Sequence, residues 1–327
     1  MALSNEQKLA LFTNIVRAMT LDQMMMRLIR TGRLVGFYHE GGVALAPSVA
    51  SGAFLRKSDP SWPHLRGHGV AHMLSRGVDV KPYFAEHMGR EAGCCKGRTS
   101  FHMSFPEFHM WGASGNIGAN FPLSVGFGFA AKRKETGQVV MNCSGDGSYA
   151  EGRAHEALLM ASLWALPIVF WCENNQMSQH SALADVFPGV RVSALAPGYG
   201  IPAKVVDGQD VFACGEAALE AVAHARSGKG PYMVECLTVR CHEHSVGSVN
   251  KAGVMFRDPE QMAAWCRDLD PAKLAAARLI EDGVATEADI AEIQARAAKE
   301  PEEIEAFCNR SPATPPIEDL VKAVYAA

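Results

Sequence analysis

Two largely apolar runs, each opening into a polar turn, constrain this chain most. Val139 to Cys143 leads into Gly145-Asp146-Gly147, and Ile168-Val169-Phe170-Trp171-Cys172 leads into Glu173-Asn174-Asn175, with a helical stretch between them. Asp146 and Asn175 are 29 residues apart, each just past the carboxyl end of a predicted strand. In a doubly wound α/β sheet, adjacent parallel strands bring such ends together on the rim where ligands bind. A carboxylate and an amide oxygen meeting there suit a hard cation such as Mg²⁺, which favours oxygen ligands and phosphate partners. Glycine on both sides of Asp146 lets backbone N–H groups approach a phosphate, and the next helix aims its amino terminus at the same place. Either element alone is more often an ordinary turn or loop opening. Together, at this separation, they point to magnesium and a diphosphate.

The rest of the chain supports a parallel sheet with helices on both faces. Strands are expected at 139–143, 167–172, 203–206 and 232–239, with helices at 119–134, 151–163 and 211–226 between them. Before this core, residues 6–33 read as two helical stretches, 44–55 as a tightly packed helix, 59–69 as loop and 71–76 as a helix. Residues 91–118 are irregular and rich in Gly, Ser and aromatic side chains, as long functional loops are. From Asp258 the pattern is helical, at 259–269, 271–282, 287–307 and 317–325, with Thr286 placed to cap the third helix. Residues 1–257 are thus expected to form the α/β domain, with amino-terminal helices, and 258–327 a helical extension.

Composition excludes several classes. The net charge of −4 comes from acidic and basic residues mixed throughout, with no basic stripe for nucleic acid. No apolar segment is long enough for a bilayer, and the amino terminus lacks a secretion signal. The nine cysteines show no repeated Cys-x-x-Cys spacing, so structural zinc is not expected and free thiols in a reducing cytoplasm are. No Gly-x-Gly-x-x-Gly opens the first strand–helix unit, against a nicotinamide dehydrogenase.

The Gly-Asp-Gly and Asn-Asn pair resembles the thiamine-diphosphate motif, and nearly the whole chain is similar to the alpha subunits of thiamine-diphosphate-dependent 2-oxo acid dehydrogenases. That family includes pyruvate, branched-chain 2-oxo acid and acetoin dehydrogenases. The resemblance is carried also by Phe37-Tyr38-His39, Arg66-Gly67-His68-Gly69, Gly115-Asn116-Ile117-Gly118-Ala119, Gly228-Lys229-Gly230-Pro231, Arg240 to Ser245, Phe256-Arg257 and Pro316 to Leu320. It implies the thiamine-diphosphate-binding fold. It further implies that Asp146, Asn175 and the carbonyl of Met177 bind Mg²⁺, and that Gly147, Ser148 and Arg66 meet the diphosphate. Gly115 and Ile117 would grip the aminopyrimidine through their backbone, with His244 at the active-site mouth and His39 and His68 on the substrate side.

By the same resemblance, the glutamate that activates the cofactor belongs to a separate beta subunit, so this chain would be half an active site in an α2β2 tetramer. A lipoyl acyltransferase would be the further partner if the enzyme works in a dehydrogenase complex. Several residues depart from the family pattern: Leu65 stands where Tyr is common, Val43-Ala44-Leu45-Ala46 and Arg98 to Met103 are altered, Ala150 replaces Asn, and Ser248-Val249 replaces an acidic pair. These changes leave acyloin cleavage or carboligation open beside 2-oxo acid decarboxylation, and a non-catalytic regulatory subunit as a third reading. Ser245 matches a position phosphorylated in some relatives.

Overall fold

Ser4 begins the first helix as its cap: its hydroxyl accepts from the N–H of Gln7, and the Gln7 side chain accepts from Ser4 in return. From there one helix, α1 (Asn5–Arg30), runs without a break. The two helical stretches expected here are therefore one, because nothing between Ala18 and Met26 stops a helix and the methionine cluster packs into the core. The structure, a computed structural model, describes residues 1–34, 36, 38–99, 101–189, 191–246 and 258–316. Phe37, Ser248-Val249, Phe256-Arg257 and the helix expected at 317–325 lie outside them.

After α1 come α2 (Ala46–Ala53), β1 (Ser61–Trp62), α3 (Val70–Ser75) and α4 (Lys81–His87), followed by the irregular stretch and α5 (Asn120–Arg133). The central unit is β2 (Val140–Gly145), α6 (Gly152–Leu163) and β3 (Ile168–Asn174). A small hairpin of β4 (Met177–Ser178) and β5 (Ser181–Ala182) follows, then α7 (Leu183–Val186), β6 (Ala203–Asp207), α8 (Val211–Arg226) and β7 (Tyr232–Leu237). Three helices close the described chain: α9 (Pro259–Asp268), α10 (Pro271–Glu281) and α11 (Glu287–Arg310). Thr286 caps α11 in a capping box with Asp289, and Asp210 caps α8 through the N–H groups of Phe212 and Ala213.

The main sheet runs in the order β1-β2-β3-β7-β6, all pairs parallel. Its middle strand is buried on both faces, the usual reason a parallel strand reads as a continuous apolar run. Ile168, Phe170 and Cys172 pack toward α5 and α6, while Val169 and Trp171 pack toward α2 and α8. Burying an aliphatic or aromatic side chain of this size contributes about 1.5–3 kcal/mol, so β3 is the spine on which the carboxyl rim is hung. Beyond α2 and α8, α1 shares one apolar core with residues of α10 and α11.

β1 and α4 were absent from the sequence expectation. Two residues between Pro60 and Pro63 are too few for a periodic signal, yet Ser61 and Trp62 pair with Met141 and Asn142 at the sheet edge. α4 starts at Lys81-Pro82, and Tyr83 and Phe84 are its fully buried contribution to the core. Among the described residues, no helix is long and apolar enough to cross a membrane.

Candidate active site at the carboxyl rim of the sheet

Gly145 is the register partner of Glu173, so Asp146 and Asn175 leave neighbouring strands side by side. The chain then turns sharply through a short 3-10 segment, Asp146–Ala150, before α6 begins. A side chain at Gly147 would place its Cβ 2.3 Å from the Ser178 hydroxyl, so only glycine lets this turn lie against the β4 strand. The Asn175 amide oxygen accepts from the N–H of Met177 at 3.2 Å, which fixes its direction. Met177 itself opens β4 beside the turn.

Asp146 is 1% exposed, and burial raises its pKa above the usual carboxylate range, although the N–H of Gly147 opposes that shift. Its Oδ2 atom is buried with no hydrogen-bond partner among the described residues. A buried carboxylate oxygen left without a partner costs free energy unless a cation or donor completes it. An all-oxygen set from Asp146, Asn175 and the nearby Met177 carbonyl has the chemistry of a Mg²⁺ site. The residues fit the metal that the sequence implies.

Arg66 lines a cavity of about 180 Å³ together with Asp146, Gly147, Ser148, Asn175 and Met177. Its Nη1 donates to the carbonyls of His244 at 2.8 Å and Glu40 at 3.2 Å. Its buried Nε has no partner among the described residues. Burial and the neighbouring Arg240 lower its pKa to about 10, which still leaves it charged at neutral pH. An arginine lining a cavity, with a donor that has no partner among the described residues, is suited to phosphate.

Three histidines form a hydrogen-bonded chain beside it. The Nε2 atoms of His244 and His39 are 3.2 Å apart, and His39 Nδ1 is 2.9 Å from His68 Nε2. His68 Nε2 also accepts from the His39 backbone N–H at 3.2 Å. Burial, with Arg66 nearby, lowers the pKa of His39 to about 3 and of His244 to about 4, and drives His68 well below its usual value. All three are neutral at pH 7. His39 and His244 line the cavity, whereas His68 lies behind His39 and reaches the cavity only through it.

The remaining expected residues divide in the same way. Ile117 lines the cavity and is 45% exposed; Gly115 does not line it, although its neighbours Ser114 and Asn116 do. Ser245 is buried next to His244, at the edge of the described residues. Two arrangements went unread in the sequence. Asn120, at the start of α5, donates to Asn142 Oδ1, Cys143 O and Ser144 Oγ, each at 3.0 Å, and so ties α5 to β2. The alternation of Asn142 and Ser144 in an apolar strand was the signal. His64 Nδ1 lies 3.0 Å from Glu173 Oε2 at the cavity wall, and no spacing along the chain announced that meeting.

These features define the class: a doubly wound α/β protein with a buried carboxylate and a buried arginine lining one cavity at the carboxyl rim of a parallel sheet. The family model described as "Dehydrogenase E1 component" matches residues 13–317, and the chain belongs to that family. It is 32% identical over 324 residues to the testis-specific mitochondrial pyruvate dehydrogenase E1 component subunit alpha of Rattus norvegicus, covering 99% of this chain and 80% of the relative. It is 32% identical to the corresponding subunit of Rhizobium meliloti (strain 1021), covering 89% of this chain and 82% of the relative. It is 33% identical to the somatic mitochondrial form of Homo sapiens, over 89% of this chain and 73% of the relative. The chain is therefore an alpha-type E1 subunit of the thiamine-diphosphate- and metal-dependent 2-oxo acid dehydrogenase class, whose alpha subunits work with a beta subunit.

Proposed function

We propose that this chain forms the metal- and diphosphate-holding half of an enzyme that decarboxylates pyruvate or a closely related 2-oxo acid and passes on the acyl unit. The observation that carries this reading is the buried Oδ2 of Asp146, which has no partner among the described residues, beside Asn175 at the ends of adjacent parallel strands. Asp146, the Asn175 amide oxygen and the Met177 carbonyl hold Mg²⁺. The N–H groups of Gly147 and Ser148 and the guanidinium of Arg66 hold the diphosphate. Gly115 and Ile117 offer backbone atoms to the aminopyrimidine, from the loop that ends at α5. When bound, thiamine diphosphate supplies the electron sink that lets the bond beside a carbonyl break.

The protein's own part is position and protons. His244 is neutral, and its buried Nδ1 has no partner among the described residues. It can take or hold a proton at that atom while Nε2 stays on His39. His39 and His68 keep the imidazole chain oriented and exclude charge from the substrate side. Depressed histidine pKa values of this kind favour transfer by a neutral ring over binding by a cationic one.

A separate beta subunit supplies the carboxyl group that activates the cofactor, in an α2β2 assembly, and a lipoyl acyltransferase accepts the acyl unit. Nine free cysteines support a reducing compartment such as the cytoplasm. The comparisons do not favour acyloin cleavage, since the relatives quoted are pyruvate dehydrogenase subunits. A purely regulatory subunit would have no use for the cost of burying the Asp146 carboxylate.

Calorimetric titration of the purified heteromer with thiamine diphosphate tests this reading. Binding should require Mg²⁺, and Asp146→Asn should weaken it by about a hundredfold or more, since the lost partner is a charged one. Metal-independent binding, or an Asp146→Asn protein that binds as the parent does, would sink it.

A further inference from the structure

The chain of imidazoles beside the cavity is anchored by a two-way clamp between His39 and the turn at 66–69. The Gly67 N–H donates to the His39 carbonyl at 2.7 Å, and the His39 N–H donates to His68 Nε2 at 3.2 Å. Three consecutive positive φ angles shape this turn, 64° at Gly67, 46° at His68 and 80° at Gly69. A left-handed backbone is uncommon for a residue with a side chain, and it persists only where the surroundings hold it. The His68 ring meets Tyr38 edge-on and stacks with His87, at centroid distances of 4.6 and 5.6 Å. It is thus fixed with Nε2 facing residue 39.

A backbone N–H can only donate, so His68 Nε2 must carry a lone pair and the ring proton must sit on Nδ1. That Nδ1 is buried with no partner among the described residues, so the choice is made at Nε2. His39 Nδ1 lies 2.9 Å from the same Nε2, where two lone pairs would repel, so His39 holds its proton there. Burial keeps all three rings neutral at pH 7. Neutral His39 therefore has its lone pair on Nε2, and His244 Nε2, 3.2 Å away, must be the donor. We propose that His68 is a positioning residue that sets the polarity of the whole chain, placing the His244 proton on Nε2 and a lone pair on Nδ1. His244 then offers at Nδ1 an acceptor for a hydroxyl or N–H group, and not for a carboxylate, whose lone pairs would face its own. The inference deepens the proposed function and rests on it only for what occupies the cavity.

Neutron diffraction from deuterium-exchanged crystals of the intact, ligand-free heteromer at pH 7 locates the ring deuterons directly. They should lie on Nδ1 of His68, Nδ1 of His39 and Nε2 of His244, with His244 Nδ1 bare. Deuterium on His68 Nε2 or on His244 Nδ1 would overturn the proposal. A kinetic comparison of His68→Gln and His68→Ala, with pyruvate, thiamine diphosphate and Mg²⁺, tests the positioning role. A glutamine oxygen can stand where Nε2 does and still accept from residue 39, whereas alanine offers no acceptor. kcat should fall by about tenfold or more in His68→Ala with KM nearly unchanged, and His68→Gln should recover most of that loss. Equal losses in the two variants, at equal ligand-free melting temperatures, would refute the positioning role. If His68→Ala does not fold, the neutron map decides alone. If wild type decarboxylates no 2-oxo acid, the proposed function fails while the neutron map still decides the polarity of the chain.

Discussion

Two buried aspartates, one in α1 and one lining the cavity, show how differently the same side chain can be used. Asp22, inside α1, accepts from the Tyr38 hydroxyl at 2.7 Å, the Gly41 N–H at 2.9 Å and the Gly42 N–H at 2.8 Å. Asp146 is as deeply buried but has an oxygen with no partner among the described residues. The first carboxylate ties the segment carrying His39 to the first helix and is complete in itself. The second is incomplete without something from outside. Burial alone identifies neither role; the hydrogen-bond inventory separates scaffold from site.

Breaking the first centre should cost the most. Asp22→Ala leaves two N–H groups and a hydroxyl without their acceptor, and should destabilise the protein by about 3–5 kcal/mol. Chemical denaturation of the ligand-free protein measures this, and a loss below about 1 kcal/mol would mean that Asp22 is not the tie described.

The next effect is acid sensitivity at a histidine remote from the cavity. His72 is fully buried between the hydroxyls of Ser51 and Ser61, and burial lowers its pKa to about 3 from 6.5. The unfolded imidazole takes up a proton below about 6.5 and the folded one resists until about 3. Its contribution to stability is thus complete above 6.5 and is lost as pH falls through that window. Between pH 7 and 5 the loss should be about 2 kcal/mol. Asp22, with its pKa raised to about 6 by burial, acts in the opposite sense: it favours the folded state at low pH and ceases to do so as pH rises through 6. Subtracting the pH dependence of His72→Gln from that of wild type isolates the histidine, and a zero difference would refute its assignment.

Asp146→Asn should produce a smaller change, and one of opposite sign to Asp22→Ala. Removing a buried charge with an oxygen that has no partner among the described residues should stabilise the ligand-free protein by about 1 kcal/mol, while abolishing the metal-linked stabilisation expected of wild type. Thermal melts with and without Mg²⁺ and thiamine diphosphate would show this crossing, and destabilisation in both states would contradict it. The smallest effect concerns Glu86, a second completed carboxylate, which accepts from the N–H groups of Cys95, Gly97 and Thr99. Glu86→Gln should cost about 1 kcal/mol and open the 94–99 loop to limited proteolysis.

Elements bounded by local signals were legible in the chain. The expected limits of α8, residues 211 and 226, are those of the structure, where Asp210 caps its start, and Thr286 ahead of an acidic first turn announced α11. α1 was divided because a methionine cluster resembled a new start, when it is core filling on a continuous helix. β1 escaped because two residues carry no period, and its strand character exists only through pairing with β2. The site shows the same division. Asp146 and Asn175 could be read because glycines and a doubled asparagine mark strand ends, and Arg66, His39, His68 and His244 through family resemblance. Gly115 and Ile117 were read together, yet the structure lines the cavity with one and not the other.

Strand order along the chain, helical caps and the polar turns at two strand ends are local or periodic properties, and a sequence determines them by itself. That is why the α/β class and the neighbouring strand ends that carry Asp146 and Asn175 were accessible before any coordinates. Contacts between distant segments are another matter. Glu173 with His64, His244 with His39 across 205 positions, and the lack of a partner for Asp146 Oδ2 among the described residues depend on where folding places each atom. Whether a buried polar atom is satisfied is a property of its surroundings in three dimensions, and only the tertiary structure decides it.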